Sequence, residues 1–147
     1  MFVRKATKAD ALDVLSWRND PLTRSMSRAP GEVGETAHFE WFEKAVGDPR
    51  RTLLIGELDG QKIGMVRFDH GEETEVSINI NPACRGRGLS YALLTESMTW
   101  VLGTVVAEIR PENLASQRLF ERAGFSFDGM RDDLRRYTGK ATAKPRP

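Results

Sequence analysis

Glu75-Val76-Ser77-Ile78-Asn79-Ile80-Asn81-Pro82-Ala83-Cys84-Arg85-Gly86-Arg87-Gly88-Leu89-Ser90-Tyr91 is the stretch whose reading decides the fold. Val76, Ile78 and Ile80 alternate with Glu75, Ser77 and Asn79, the period of two of a strand. Asn81-Pro82 ends the strand. Arg85, Gly86, Arg87 and Gly88 form a basic, glycine-rich turn, and Leu89 onward has helical character. A strand passing through such a turn into a helix N-terminus can cradle phosphate. The first-turn N–H groups are unpaired, the helix dipole adds positive charge, and glycine lets backbone come close to an anion. The alternative is a tight connection with exposed arginines. The turn is not a P-loop, because no Lys-Ser/Thr follows the glycines. It also lacks the G-x-G-x-x-G spacing of a dinucleotide site.

Outward from this stretch, the coarse reading is one domain over residues 1–138. A strand at Phe2–Ala6 precedes a helix begun by Thr7-Lys8-Ala9-Asp10, whose apolar side is Leu12, Leu15 and Trp17. Residues 22–34 read as irregular. A second helix covers Glu35–Val46, with Phe39, Phe42 and Val46 at helical spacing. Strands at Thr52–Leu58, Lys62–Asp69 and Glu73–Asn81 form a meander around an Asp59-Gly60 turn. A helix runs from Leu89 to about Val101, a strand covers Thr104–Ile109, and a helix covers Leu114–Ala123, capped by Gly124. A last strand begins at Phe125–Phe127. Residues 139–147, GKATAKPRP, carry too little apolar surface to order themselves and read as a basic disordered tail. The class is α/β (α+β), a mixed, mostly antiparallel sheet flanked by about four helices.

Composition bounds the function. The 147 residues are 39% hydrophobic and 29% charged with a net charge of +1, which suits one soluble core and argues against nonspecific nucleic-acid binding. Cys84 stands alone, so no internal disulfide forms. No His/Cys/carboxylate cluster has metal-ligand spacing. No apolar run reaches membrane-spanning length, and MFVRKATKAD lacks the core of a signal peptide, so the cytoplasm is the expected location.

The turn at Arg85-Gly86-Arg87-Gly88-Leu89-Ser90 resembles the acyl-CoA pyrophosphate loop of the GCN5-related N-acetyltransferases, Arg/Gln-x-x-Gly-x-Gly/Ala, with Ser90 departing at the last position. Asn113-Leu114-Ala115-Ser116 leading to Gly124-Phe125 resembles that family's closing motif, and the element order agrees over residues 2–138. The resemblance implies acetyl-CoA as donor and a primary amine as acceptor. It implies that Ile78, Asn79 and Ile80 on the strand edge pair with the pantetheine arm, an added strand in effect. Backbone N–H groups of Arg87, Gly88, Ser90 and Tyr91 would take the pyrophosphate, with Arg85 and Gly86 part of the same cofactor-binding loop. Asn113 and Ser116 would lie near pantetheine. From Glu75 to Asn81 the strand advances roughly 20 Å, the order of an extended pantetheine arm, so Glu75 is the candidate base and Ser77 a relay beside it. Phe120 occupies a position where many family members carry a Tyr that protonates the leaving thiolate. It can only pack against cofactor or core, and the acid stays unassigned.

Trp17-Arg18-Asn19-Asp20-Pro21, His38-Phe39-Glu40-Trp41-Phe42 and Gly64-Met65-Val66-Arg67-Phe68-Asp69 together resemble the subgroup that acetylates the 4-amino group of nucleotide-linked amino sugars. They shade into acetyltransferases of ribosomal-protein N-termini. On that resemblance Arg18, Asn19, His38 and Arg67, with Arg24 or Arg28, would contact a UDP-linked 4-amino-4,6-dideoxy sugar. The implied partners are a small-molecule amine, a nucleotide-sugar as its specific form, and a second copy of the chain in a homodimer. A non-catalytic acyl-CoA-binding module is the remaining reading.

Overall fold

The computed structural model describes residues 1–27 and 31–145. Its elements are β1 (Phe2–Lys5), α1 (Ala11–Arg18), α2 (Pro21–Met26), α3 (Glu35–Val46), β2 (Arg51–Leu58), β3 (Gln61–Asp69), β4 (Thr74–Ile80), α4 (Leu89–Met98), β5 (Gly103–Ile109), α5 (Leu114–Arg122), β6 (Ser126–Arg131) and β7 (Leu134–Ala141). The strands form one seven-stranded sheet in the order β1-β2-β3-β4-β5-β7-β6. β4 and β5 run parallel, and every other neighbouring pair is antiparallel. The mixed, mostly antiparallel sheet is the one expected, with five α-helices rather than about four.

The sheet is covered on both faces. Leu54, Val66, Phe68 and Val76 pack with Leu93, Leu94 and Phe120 on the side of α4 and α5. Leu53, Ile55 and Met65 pack with Val14, Trp17 and Phe42 on the side of α1 and α3. β2 therefore buries consecutive residues, as a strand between two apolar layers must. The Asp59-Gly60 turn takes φ of 50° and 79°, the left-handed geometry that joins β2 to β3. A Cβ on Gly64 would lie 2.5 Å from the carbonyl oxygen of Asn79, so glycine there permits close approach of β3 to β4.

Four expectations are corrected. The irregular reading of residues 22–34 misses α2, which Pro21 starts and Asp20 caps by accepting the Thr23 N–H at 3.1 Å. Leu12 is 63% exposed, and Val14 takes its place in the core. α4 stops at Met98, short of Val101. The largest difference is at the C-terminus. β7 is inserted between β5 and β6 and runs through Ala141, inside the stretch expected to be a disordered tail. Gly139 faces Val105 in register and lies beneath the Phe125 ring, and Ala141 is buried. The Lys144 N–H then donates to the Thr99 carbonyl at 2.9 Å. A strand with neighbours on both edges gains its ladder whatever its side chains, so composition alone misleads here.

Candidate functional site

β4 and β5 pair at only Thr74↔Val105 and Glu75↔Val106, then diverge. β4 stays paired with β3 as far as Ile80. From Val76 onward the β4 edge toward β5 has no strand partner among the described residues. Ile78, Asn79 and Ile80 lie on this edge. Extended amide-bearing ligands add to such an edge as a strand would.

The phosphate-type turn lies at the end of that edge. Asn81 pins its start, accepting the Ala83 N–H at 3.0 Å and donating to the Lys62 carbonyl at 2.9 Å. Gly86 and Gly88 have φ of 73° and 70°, with open space where a Cβ would stand. Gly88 at the N-cap of α4 offers no side-chain cap, and none is made among the described residues, so the first-turn N–H groups can meet an anion. Ser90 and Tyr91 belong to that turn. The Arg122 guanidinium lies 4.0 Å over the Tyr91 ring. Arg87 donates to Gln61 at 3.2 Å. Asn113 caps α5 by accepting the Ser116 N–H at 3.1 Å, so the two closing-motif residues stand together. An unpaired edge leading to an uncapped, glycine-lined helix start fits an acyl-CoA arm and its pyrophosphate.

Arg85 is tied to the opposite wall. Its guanidinium pairs with Asp20 and donates to the Thr23 hydroxyl at 2.7 Å. The hydrogen bond from Arg85 holds the Asp20 carboxyl below its ordinary range. Arg110, just past β5, donates to the carbonyls of Ser25 and Ser27 at 3.1 and 3.3 Å. α2 is thus strapped at one end to the phosphate turn and at the other to β5.

Glu75 lies at the fork itself, opposite Asp69 on β3 and Val106 on β5. Glu75, Ser77 and Asn79 share the sheet face that carries α1 and α3. Ser77 is exposed, just past the point where β5 leaves β4. The Asn79 Oδ1 is buried without a partner.

The residues expected to hold an acceptor divide. His38 is 1% exposed, so it is no substrate contact. Its Nε2–H donates to the Ala11 carbonyl at 2.7 Å, tying α3 to the start of α1. Burial pushes its pKa down, outweighing that hydrogen bond, and the charge of Arg18 adds to the fall. Asn19 clamps the segment before α3 instead, donating to the Val33 carbonyl at 2.9 Å and accepting the Val33 N–H at 2.8 Å. Arg67 is engaged twice by Asp69, Nε and a terminal nitrogen each at 2.8 Å. Arg18 lies half-buried against Trp41, its guanidinium 5.5 Å from the ring centroid. Arg28 lies outside the described residues. Of the two placements expected for Phe120, cofactor or core, it takes the core: it is 2% exposed and packs edge-on to Phe125, 5.0 Å between centroids. Tyr137 is equally fixed, 1% exposed, with its hydroxyl accepting from Arg135 at 3.0 Å.

Two features escaped the sequence reading. A cavity of about 560 Å³ opens at the end of β5, lined by Glu108, Arg110, Glu112, Asp132, Asp133 and neighbours. Its acidic residues come from segments that only the insertion of β7 brings together. Arg51 joins Arg18 and Arg67 around Trp41, 5.8 Å from the ring. Among the described residues no group of three His, Cys, Asp or Glu could hold a metal, and no helix is long and apolar enough to cross a membrane.

Comparison with known proteins agrees with this fold. The chain is 26% identical over 136 residues to an uncharacterised N-acetyltransferase of Mycobacterium tuberculosis, covering 85% of this chain and 87% of that protein. It is 27% identical over 152 residues to YwnH of Bacillus subtilis, provisionally named a phosphinothricin acetyltransferase, covering 95% and 93%. The fold superposes on a Vibrio cholerae spermidine N-acetyltransferase, solved with CoA and spermine, at a TM-score of 0.83, 17% identity and 95% coverage of each chain. The acetyltransferase (GNAT) domain model matches residues 1–126. With its forked sheet and the glycine-rich turn beyond β4, the chain belongs to the GNAT acetyltransferase family and is an acetyl-CoA-dependent N-acetyltransferase.

Proposed function

We propose that the acceptor is a compact primary amine that attacks the thioester directly, with Glu75 taking the ammonium proton. One observation carries this reading: the β4–β5 ladder ends at Glu75↔Val106. An arm that runs from the phosphate turn along the unpaired β4 edge spans about 20 Å before it meets the fork. Its thioester then lies beside the Glu75 carboxylate. Backbone N–H groups near Ile78 and Ile80 are positioned to stabilise negative charge developing on the thioester oxygen. With Phe120 and Tyr137 both in the core, the departing thiolate takes its proton from solvent.

The acceptor enters from the face of α1 and α3. A nucleotide-linked amino sugar would need His38, Asn19 and Arg67, and each is buried or already paired. The cavity beyond Val106 suits a smaller molecule, and its carboxylates favour an approaching ammonium. A Vibrio cholerae neighbour that holds spermine supports the same class.

The test is acetyl transfer, read by mass spectrometry, to four acceptor sets: amino acids, polyamines, a UDP-linked 4-amino sugar, and peptides with ribosomal-protein N-termini. Acetylation confined to the compact amines is expected. Acetylation of only the nucleotide-sugar or only the peptides would overturn the reading. Tight acetyl-CoA binding with no turnover on any set would point to a non-catalytic module.

A further inference from the structure

Three guanidiniums surround one indole. Arg67, Arg18 and Arg51 lie 4.9, 5.5 and 5.8 Å from the Trp41 centroid. Two carboxylates answer them. Asp69 holds Arg67 and lies 3.8 Å from Arg51, and Asp48 also lies 3.8 Å from Arg51. Arg18 has neither a carboxylate nor a hydrogen-bond acceptor among the described residues. It is half-buried nonetheless, and burial with the charge of Arg67 lowers its pKa. A partly desolvated cation beside two others, its nitrogens still open to solvent, is stabilised by an arriving anion. The indole face offsets only part of the cost of that desolvation.

The position adds to the anomaly. Arg18 ends α1, which packs across β4. Arg67 is the register partner of Ser77 on the exposed face. Ser77 is two residues from Glu75, about 7 Å along the strand. The cationic cluster thus flanks the fork on the β3 side, and the carboxylate-lined cavity flanks it on the β5 side.

We propose that Arg18, laid against Trp41, binds an acid group of the acceptor, so that the acceptor is a compact amino acid bearing a carboxylate or a phosphorus oxyacid. The proposal rests on the compact-amine reading above. A planar guanidinium takes two oxygens of such a group at once, which fixes the orientation of the molecule. The amine end then points to the fork. The cluster supplies the anion site and the fork supplies the base.

Binding and turnover test the two layers separately. With CoA saturating the phosphate turn, the protein is titrated with L-2-aminobutyrate, its amide, and an amino-phosphinate. The Arg18 Nε–H and Trp41 indole N–H resonances are followed. Both should shift with the acid and the phosphinate and stay still with the amide. Arg18→Gln should abolish the response, and Arg18→Lys should restore it in part. In acetyl transfer the parent should prefer acid over amide by at least tenfold in kcat/KM, and Arg18→Gln should bring that ratio close to one. Resonances silent to every anion, or equal response to acid and amide, would overturn the subsite even if amines are acetylated. Shifts without turnover would leave the subsite standing and remove Glu75 as base. If Arg18→Gln does not fold, the parent titration and Arg18→Lys still decide.

Discussion

Glu75 is the residue on which the proposed chemistry turns. Strand length alone put it one pantetheine arm from the phosphate turn. The structure adds that the β4–β5 ladder ends at that residue. Glu75→Gln keeps the shape and removes the base, so kcat is expected to fall by roughly 10²-fold or more. Acetyl-CoA affinity by calorimetry should be nearly unchanged, because the phosphate turn is remote. Equal rates for parent and variant across pH would remove Glu75 from the mechanism. His38 and Asn19 teach the opposite lesson. Their residue types suit a site, but burial and existing hydrogen bonds commit them to the scaffold. No local pattern separates a histidine bonded to a backbone carbonyl from one that meets substrate.

At the scale of elements, the glycine-rich turn has the backbone its sequence implies. Gly88 holds a φ of 70° with nothing near its absent Cβ. Gly88→Glu introduces left-handed strain of about 1 kcal/mol, which the fold can bear, and sets a carboxylate against the pyrophosphate. Acetyl-CoA affinity is expected to drop at least tenfold with the melting curve little changed. Cofactor binding at parental strength would show that the pyrophosphate sits elsewhere. The β6–β7 hairpin was less legible. Its turn is Asp132-Asp133, with φ of 50° and 63°. Those are Asn-Gly geometries occupied by residues that announce them weakly, whereas Asp59-Gly60 announced itself. Missing that turn hid β7. A chain ending at Thr138 loses the pairing of Gly139, Lys140 and Ala141 with β5. We expect a loss of about 3 kcal/mol, a fall in Tm of about 6–12 °C. An unchanged Tm would return residues 139–145 to the status of a tail.

Over the whole molecule, one buried carboxylate ties distant parts of the chain. Asp10 is 1% exposed and meets Arg4 of β1 and Lys62 of β3, each at 2.8 Å, and accepts the Thr7 N–H at 2.8 Å. Burial alone would raise its pKa, but the hydrogen bonds from Arg4, Lys62 and Thr7 together pull it well below the ordinary carboxylate range. The folded value lies below the unfolded one, so Asp10 contributes stability above the unfolded pKa of about 3.9. That contribution is lost as pH falls through the acid range below it. Asp10→Asn leaves two cations without their anion and is expected to cost about 3 kcal/mol near pH 7. In urea denaturation the gap between parent and variant should narrow as pH drops below about 4. A constant gap from pH 7 to pH 3 would show that the carboxylate charge is not what holds these elements together.

The sequence by itself determined the elements whose local signals agree: the alternating β4, the glycine-rich turn, α3 with its apolar stripe, the Asp-Gly hairpin, and the capped closing helix. Those signals are short-range. Dihedral demands and side-chain periods act within a few residues. With the resemblance they support, they were enough for the family and the donor. Only the tertiary structure decided that β4 and β5 part after Glu75, and that β7 enters between β5 and β6. It alone joined α2 to the glycine-rich turn through Arg85 and left Arg18 beside Trp41 with no carboxylate among the described residues. These outcomes depend on which distant residues meet and which burials are thereby satisfied, and a one-dimensional pattern does not carry that information.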